Sequence, residues 1–201
     1  MKSRRPTSAR PRTLVFPADH VHERWTAAEL LMAEAELELQ HFVGCDFAGA
    51  RLDRRRFTDC RFERCNLALA SLTGTALQHV TFVGCKLTGL PLAACRDFLL
   101  EVQFEDCQLD YASFAGKPLA GTRFERCTLS GADFTGADLT GASFAGCTLD
   151  GAVFQQTRLG GADLRTATGL HLDPEQNVLT KARFALDGLP GLLGKYDLVI
   201  E

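Results

Sequence analysis

Leucine or phenylalanine returns every fifth residue through most of this chain. The series runs Leu37, Phe42, Phe47, Leu52, Phe57, Phe62, Leu67, Leu72, Leu77, Phe82, Leu87 and Leu92. After a break it resumes as Leu99, Phe104, Leu109, Phe114, Leu119, Phe124, Leu129, Phe134, Leu139, Phe144, Leu149, Phe154, Leu159 and Leu164, giving 26 positions in all. A period of five is neither the 3.6 of a helix nor the 2 of a strand. Residues five apart on an extended chain face opposite ways. The chain must therefore turn a corner once per repeat to keep every fifth side chain inside. With the Leu or Phe position called i, position i−2 also points inward, and i−1, i+1 and i+2 face out or form the corner. The i−2 residues agree: nearly all are Ala, Cys or Thr. Gly recurs at i+2, as in Gly131, Gly136 and Gly141, where a corner favours a permissive backbone.

The motif Phe-x-x-Cys sets the length of one coil. It starts at Phe42, Phe62, Phe82, Phe104, Phe124 and Phe144, at intervals of 20, 20, 22, 20 and 20. Four pentapeptides make a coil, so the cross-section is a square. Two extra residues interrupt the coil near 93–98, and Phe184, 40 beyond Phe144, resumes the column. The expected fold is an all-β solenoid, a quadrilateral β-helix of about seven coils stacked at ~4.8 Å into a rod of roughly 30–35 Å. Phe62, Phe82, Phe104, Phe124 and Phe144 form its core column.

Eight cysteines raise the question of chemistry. Cys45, Cys65, Cys85, Cys107, Cys127 and Cys147 fall in single file at i−2. A straight file does not converge on a tetrahedral metal, and there is no C-x-x-C. Parallel side chains fit disulfide torsions poorly. The expected role is that of a small buried hydrophobe. Cys95 lies in the irregular segment and is the one candidate reactive thiol. No G-x-S-x-G, phosphate loop or H-E-x-x-H is present, and His41 at i−1 should face solvent. We expect no enzyme activity, cofactor or metal. Two inward slots break the rule: Arg55 and Lys117 occupy i−2 positions on one side of the square. Unpaired burial of a charge is costly, so bulges or outward flips are expected there. Pro91 and Pro118 also remove ladder donors.

Residues 1–12 carry five basic groups and no acid, which reads as a disordered tail over 1–20, with a transit peptide as the alternative. No apolar run spans a membrane or makes a secretory signal, so a reducing cytoplasm is expected. From residue 13 onward there are 17 basic and 25 acidic residues, net −8; residues 99–201 hold 8 and 14, net −6. An acidic body disfavours direct binding to nucleic acid and suits a basic partner. Outward acids such as Asp133, Asp138, Asp150 and Asp163 are candidate contacts, as are Arg96 and Asp97 in the irregular segment. Outward Arg61, Arg64, Arg123 and Arg126 break up any uniform negative face. In "WTAAELLMAEAELELQH", Thr26 and Glu29 could form a capping box. The five-residue phase also extends back through Met32, and a degenerate first coil is the favoured reading. The solenoid domain is then 21–168. Residues 169–201 read as a cap, with a short helix around 186–194 and a strand after it. Leu189, Leu192, Leu193 and Tyr196 are candidate dimer contacts, since a two-fold, end-to-end pairing would bury the same patch twice.

The run "GADFTGADLTGASF" at 131–144 closely resembles the pentapeptide repeat proteins, and the resemblance covers about 37–164. It implies a right-handed quadrilateral β-helix. The chain length, the single interruption, the repeated F-x-x-C-x-L and the tail "LDPEQNVLTKARF…LLGKYDLVIE" are similar to the topoisomerase-protecting branch. That branch includes the Qnr, albicidin-resistance and microcin B17 immunity proteins. The resemblance implies a homodimer joined at its C-terminal ends. It further implies an acidic rod that engages DNA gyrase or topoisomerase IV, partly as a DNA mimic, and protects it from a poison. A non-enzymatic scaffold with another partner is the alternative.

Overall fold

The computed structural model describes residues 14–196 and 198. The chain winds as a β-solenoid with parallel pairing throughout. One side is a seven-stranded sheet, whose strands mark six successive turns. In chain order its strands are β1 (Val21–Glu23), β3 (His41–Val43), β5 (Arg61–Glu63), β7 (Val80–Val83), β8 (Val102–Glu105), β9 (Arg123–Glu125) and β10 (Ser143–Ala145). A second side holds β2 (Glu36–Glu38), β4 (Arg56–Thr58) and β6 (Ala76–Gln78). The remaining ladder positions are single bridges, such as Asn66↔Lys86 and Thr128↔Thr148. Strands stay short because the corner intervenes after each pentapeptide.

Every Leu or Phe of the repeat is buried except Leu99. The register explains why: Phe42 pairs with Phe62, Phe62 with Phe82, and Phe82 with Phe104. The rings stack at 4.8, 5.1, 5.4, 5.2 and 5.0 Å from Phe42 through Phe144. The widest spacing, 5.4 Å between Phe82 and Phe104, falls at the interrupted coil. A second stack joins Phe114, Phe134 and Phe154, edge-on to the first. Each buried Phe contributes about 1.5–3 kcal/mol, and ring pairs add to this.

The corners turn through left-handed backbone. Gly131, Gly136 and Gly141 have φ of +65°, +69° and +69°. The i−1 residue reinforces the turn: Asp133 Oδ1 accepts from Thr135 N–H (2.9 Å), and Asp138 Oδ1 from Thr140 N–H (3.0 Å). Asp46, Asn66 and Asp163 do the same for the residue two further on. These side-chain turns give Asp and Asn a structural reason to recur at i−1.

The N-terminal coil departs from the expected degenerate repeat. Helix α1 (Ala27–Met32) replaces one side of it, and Thr26 and Glu29 form the capping box. Met32 is 90% exposed rather than inward, and Leu30 is the buried residue of the helix. The helix is favoured here because the Glu29 carboxylate accepts the Thr26 N–H (2.7 Å), a donor that the first turn would otherwise leave unpaired. The coil flanking it is regular, since β1 pairs with β3 and β2 with β4. Of the expected tail, 1–13 lies outside the described residues. Ala18–His20 forms a 3-10 turn and Phe16 rests on His41 at 4.9 Å, so order begins before residue 21.

At the other end Asp163 pairs with Arg183, so Phe184 resumes the column, half-buried against the core. Three short helical pieces follow, Leu186–Gly188, α2 (Pro190–Leu193) and Gly194–Tyr196, with Leu189 as a turn between the first two. The expected final strand falls on residues of which only 198 is described.

Candidate interaction surfaces

Arg55 and Lys117 do not flip out. Both are buried in their inward slots, and each tethers an irregular segment of the coil below. Arg55 donates from Nη1 to Glu34 O (2.8 Å) and Ala33 O (3.3 Å), and from Nη2 to Leu31 O (3.0 Å). These carbonyls end helix α1 and have no helical partner. Lys117 Nζ donates to Cys95 O at 2.7 Å and to Asp97 Oδ1 at 2.5 Å. The expectation failed because it weighed the cost of burying a charge without the carbonyls that offset it.

The Lys117 tether organises the interruption. Ala93 and Arg96 keep solenoid hydrogen bonds, donating their N–H groups to Ser113 O and Thr75 O respectively. Regular pairing lapses at 97–100 and resumes when Glu101 N–H reaches Leu77 O (3.0 Å). Two extra residues cannot fit the inward register, so the chain loops out. Leu99, expected in the core, sits at φ +58° and faces solvent beside Phe98, which is 80% exposed. Arg96 and Asp97 flank this apolar tip, both exposed. The sheet of β2, β4 and β6 ends here and restarts as the bridges Pro118↔Asp138 and Asp138↔Arg158.

The outward acids do not come together. Asp133 stacks between Ser113 and Val153, Asp138 between Pro118 and Arg158, and Asp163 between Ser143 and Arg183. These ladders belong to three different sides. Asp163 is held by Arg165 (2.9 and 2.7 Å), whose hydrogen bonds keep its carboxyl below the usual range. Asp150 lies against Gly169 at another corner. On the seven-stranded side, Arg126 grips Asp106 (2.7 Å) and Glu105 (2.6 Å). His41, expected to face solvent, lies on the outer face but is mostly covered there and meets Glu63 at 3.2 Å.

The cysteine file is a ladder of donors, a role the residue spacing did not reveal. Cys65, Cys85 and Cys147 direct S–H at the carbonyls of Phe42, Phe62 and Phe124 one coil away, at 3.3–3.4 Å. Cys107 does so to Phe82 O at 3.5 Å. Thr75 and Thr157 place a hydroxyl in the same role, to Leu52 O and Phe134 O. The Thr residues at i−2 were the available signal. All eight cysteines are buried and free. Hydrogen bonds to neighbouring thiols, then burial, push Cys85 and Cys127 up; burial, helped by the nearby Asp59 and Glu38 carboxylates, pushes Cys60 up to about 12. Cys95 fills a regular inward slot, and burial pushes it up to about 12, which removes the thiolate a nucleophile needs. Among the described residues no group of three His, Cys, Asp or Glu could hold a metal, and no helix is long and apolar enough to cross a membrane.

The C-terminal cap docks tightly. Leu172 N–H donates to Gly191 O (3.2 Å), and a Cβ at Gly191 would lie 1.8 Å from Leu170 O. Only glycine permits that approach. Lys195 bridges Asp173 (2.8 Å) and Glu175 (2.7 Å), and Tyr196 Oη donates to Glu175. Leu192 packs on the core, Leu193 is half-buried, and Leu189 and Tyr196 are exposed.

The pentapeptide repeat region model matches residues 35–114 and 55–134, and the pentapeptide repeats (8 copies) model matches 119–156 and 127–166. No curated protein matches the chain. Among solved structures, a trypsin-treated variant of QnrB1, a plasmid-mediated fluoroquinolone resistance protein, superposes with a TM-score of 0.61 at 16% identity, over 90% of this chain and 97% of that one. HetL, a pentapeptide repeat protein involved in heterocyst differentiation regulation from the cyanobacterium Nostoc sp. strain PCC 7120, aligns with a TM-score of 0.32 at 19% identity, over 83% and 89%. The five-residue core period, the square coil and the two family models together place this chain in the pentapeptide repeat family.

Proposed function

We propose that this protein binds DNA gyrase or topoisomerase IV, partly as a DNA mimic, and protects it from a topoisomerase-poisoning antibiotic. The observation that carries the reading is a rigid solenoid whose later half, residues 99–201, has net charge −6. A basic DNA-binding saddle attracts such a rod and gains orientation from it. The sequence resemblance to the topoisomerase-protecting branch adds the partner class. QnrB1, a fluoroquinolone resistance protein, shares the fold alone. The exposed Phe98 and Leu99, between Arg96 and Glu101, supply an apolar anchor beside the charged sides. Asp133, Asp138, Asp150 and Asp163 serve as dispersed charge rather than as one phosphate-like row. Leu189, Leu193 and Tyr196 on the cap are the surface for an end-to-end homodimer, in a cytoplasmic setting. The protein carries no catalytic role in this reading.

One observation favours a second reading, a scaffold for a different partner: Asp106, Asp163 and Asp173 are already ion-paired within the rod. Binding separates the two. Immobilised gyrase should retain the purified protein, and duplex DNA and rising salt should both release it. Absence of binding to gyrase and to topoisomerase IV at low salt would leave the scaffold reading.

A further inference from the structure

The N-terminal end of the rod, far from the cap, holds a cavity of about 520 Å³. Its floor is Leu37 and Trp25, the only tryptophan in the chain. The His22 ring lies against Trp25 with centroids 3.9 Å apart. Gln40 fixes the wall: its Oε1 accepts from His22 Nε2 (2.5 Å) and its Nε2 donates to Glu38 O (2.7 Å). The rim is acidic, with Glu34, Glu36 and Glu38 against a single cation, Arg56, which sits 3.3 Å from Glu36. Among the described residues, Glu34 and Glu38 have no cation within ion-pair distance. The cavity lies between β1 and β2, the first strands of their sheets, and each of those pairs along one edge only.

We propose that this end cavity binds an extended polypeptide segment carrying arginine. The chemistry converges on that ligand. A guanidinium stacks on an indole face more favourably than a neutral group does, and two unpaired carboxylates beside the indole complete its fork of donors. An open strand edge accepts backbone from an extended segment, and side-chain pockets then set the preference. An anionic or purely apolar ligand would leave Glu34 and Glu38 facing it uncompensated.

The test uses the full chain and two peptides. One is RRPTSARPR, which copies residues 4–12; the other is its EEPTSAEPE counterpart. Trp25 emission reports the cavity, and the anisotropy of a fluorescein-labelled peptide reports binding anywhere on the rod. The expected result is saturable binding of the arginine peptide with a matching change in Trp25 emission. The acidic peptide should give neither, and an E34Q/E38Q double variant should bind at least tenfold more weakly. Both of those glutamates are exposed, so the variant keeps its fold. Binding that leaves Trp25 emission unmoved would place the ligand elsewhere and overturn the proposal. Equal affinity in the double variant, or no binding at all, would overturn it as well.

Discussion

Lys117 reaches through the core to hold Asp97, its Nζ 2.5 Å from Oδ1 across one coil. The interrupted segment is thus pinned from the coil above rather than left as slack. Replacing Lys117 by Met should free the segment and leave the Cys95 carbonyl unsatisfied, at a loss of about 1–3 kcal/mol in chemical denaturation. Limited trypsin digestion should then cut after Arg96 several-fold faster. Unchanged cleavage and stability would show that the tether contributes nothing.

Arg55 makes the same kind of bond to helix α1. Arg55→Leu removes donors from the carbonyls of Leu31, Ala33 and Glu34. The expected effect is a similar loss, about 1–3 kcal/mol, concentrated in α1. Hydrogen exchange should quicken at 27–32 while the amides of β9 and β10 keep their protection. Uniform quickening along the rod would contradict this.

The cysteines should be inert and replaceable by threonine. Cys127→Thr should cost under about 1.5 kcal/mol, because Thr75 and Thr157 already serve in that slot. Cys127→Leu should cost about 1–3 kcal/mol by overpacking between coils. Ellman titration should find no reactive thiol in the native protein and eight after denaturation. A rapidly labelled native Cys95 would reopen its chemistry.

Acid should weaken the rod. Asp53, Asp106, Asp163, Asp173, Glu63 and Glu175 all have carboxyls held below their ordinary range. For Asp106 and Asp163 the largest cause is hydrogen bonding to Arg126 and Arg165. A depressed folded-state pKa stabilises above the unfolded value, about 4, and that stability is lost as pH falls through the folded value. The denaturation midpoint should therefore be flat from pH 7 to about 5 and fall below about pH 4. Greater stability at pH 3 than at pH 6 would contradict the sign.

Gly191→Ala should undock the cap, since its Cβ would collide with the Leu170 carbonyl. The expected outcome is faster exchange at 189–196 and, if the cap carries the dimer, a monomer in sedimentation. A variant with native exchange there would refute the close approach.

The core was legible in the residues because one rule, Leu or Phe every five, acts locally and repeats. Phe42 to Phe154 needed no knowledge of distant neighbours. The exceptions were hidden for the opposite reason. Leu99 obeys the period, yet it is expelled because two extra residues precede its register. Arg55 and Lys117 break the period, yet they stay inside because carbonyls a full coil away await them. Met32 kept the phase, but the capping box of Thr26 and Glu29 outweighed it. The candidate contacts scattered because i−1 positions five apart lie on successive sides of a square. Asp133 and Asp138 are near in sequence and face different directions.

A supercoiling assay tests gyrase protection most directly. Purified gyrase is treated with a fluoroquinolone or an albicidin-type poison, with and without this protein. We expect recovery of supercoiling by at least one of the two poisoned enzymes at protein concentrations that leave the drug-free enzyme largely active. No recovery from either poison, together with no inhibition of the drug-free enzyme at any concentration, would contradict the gyrase reading.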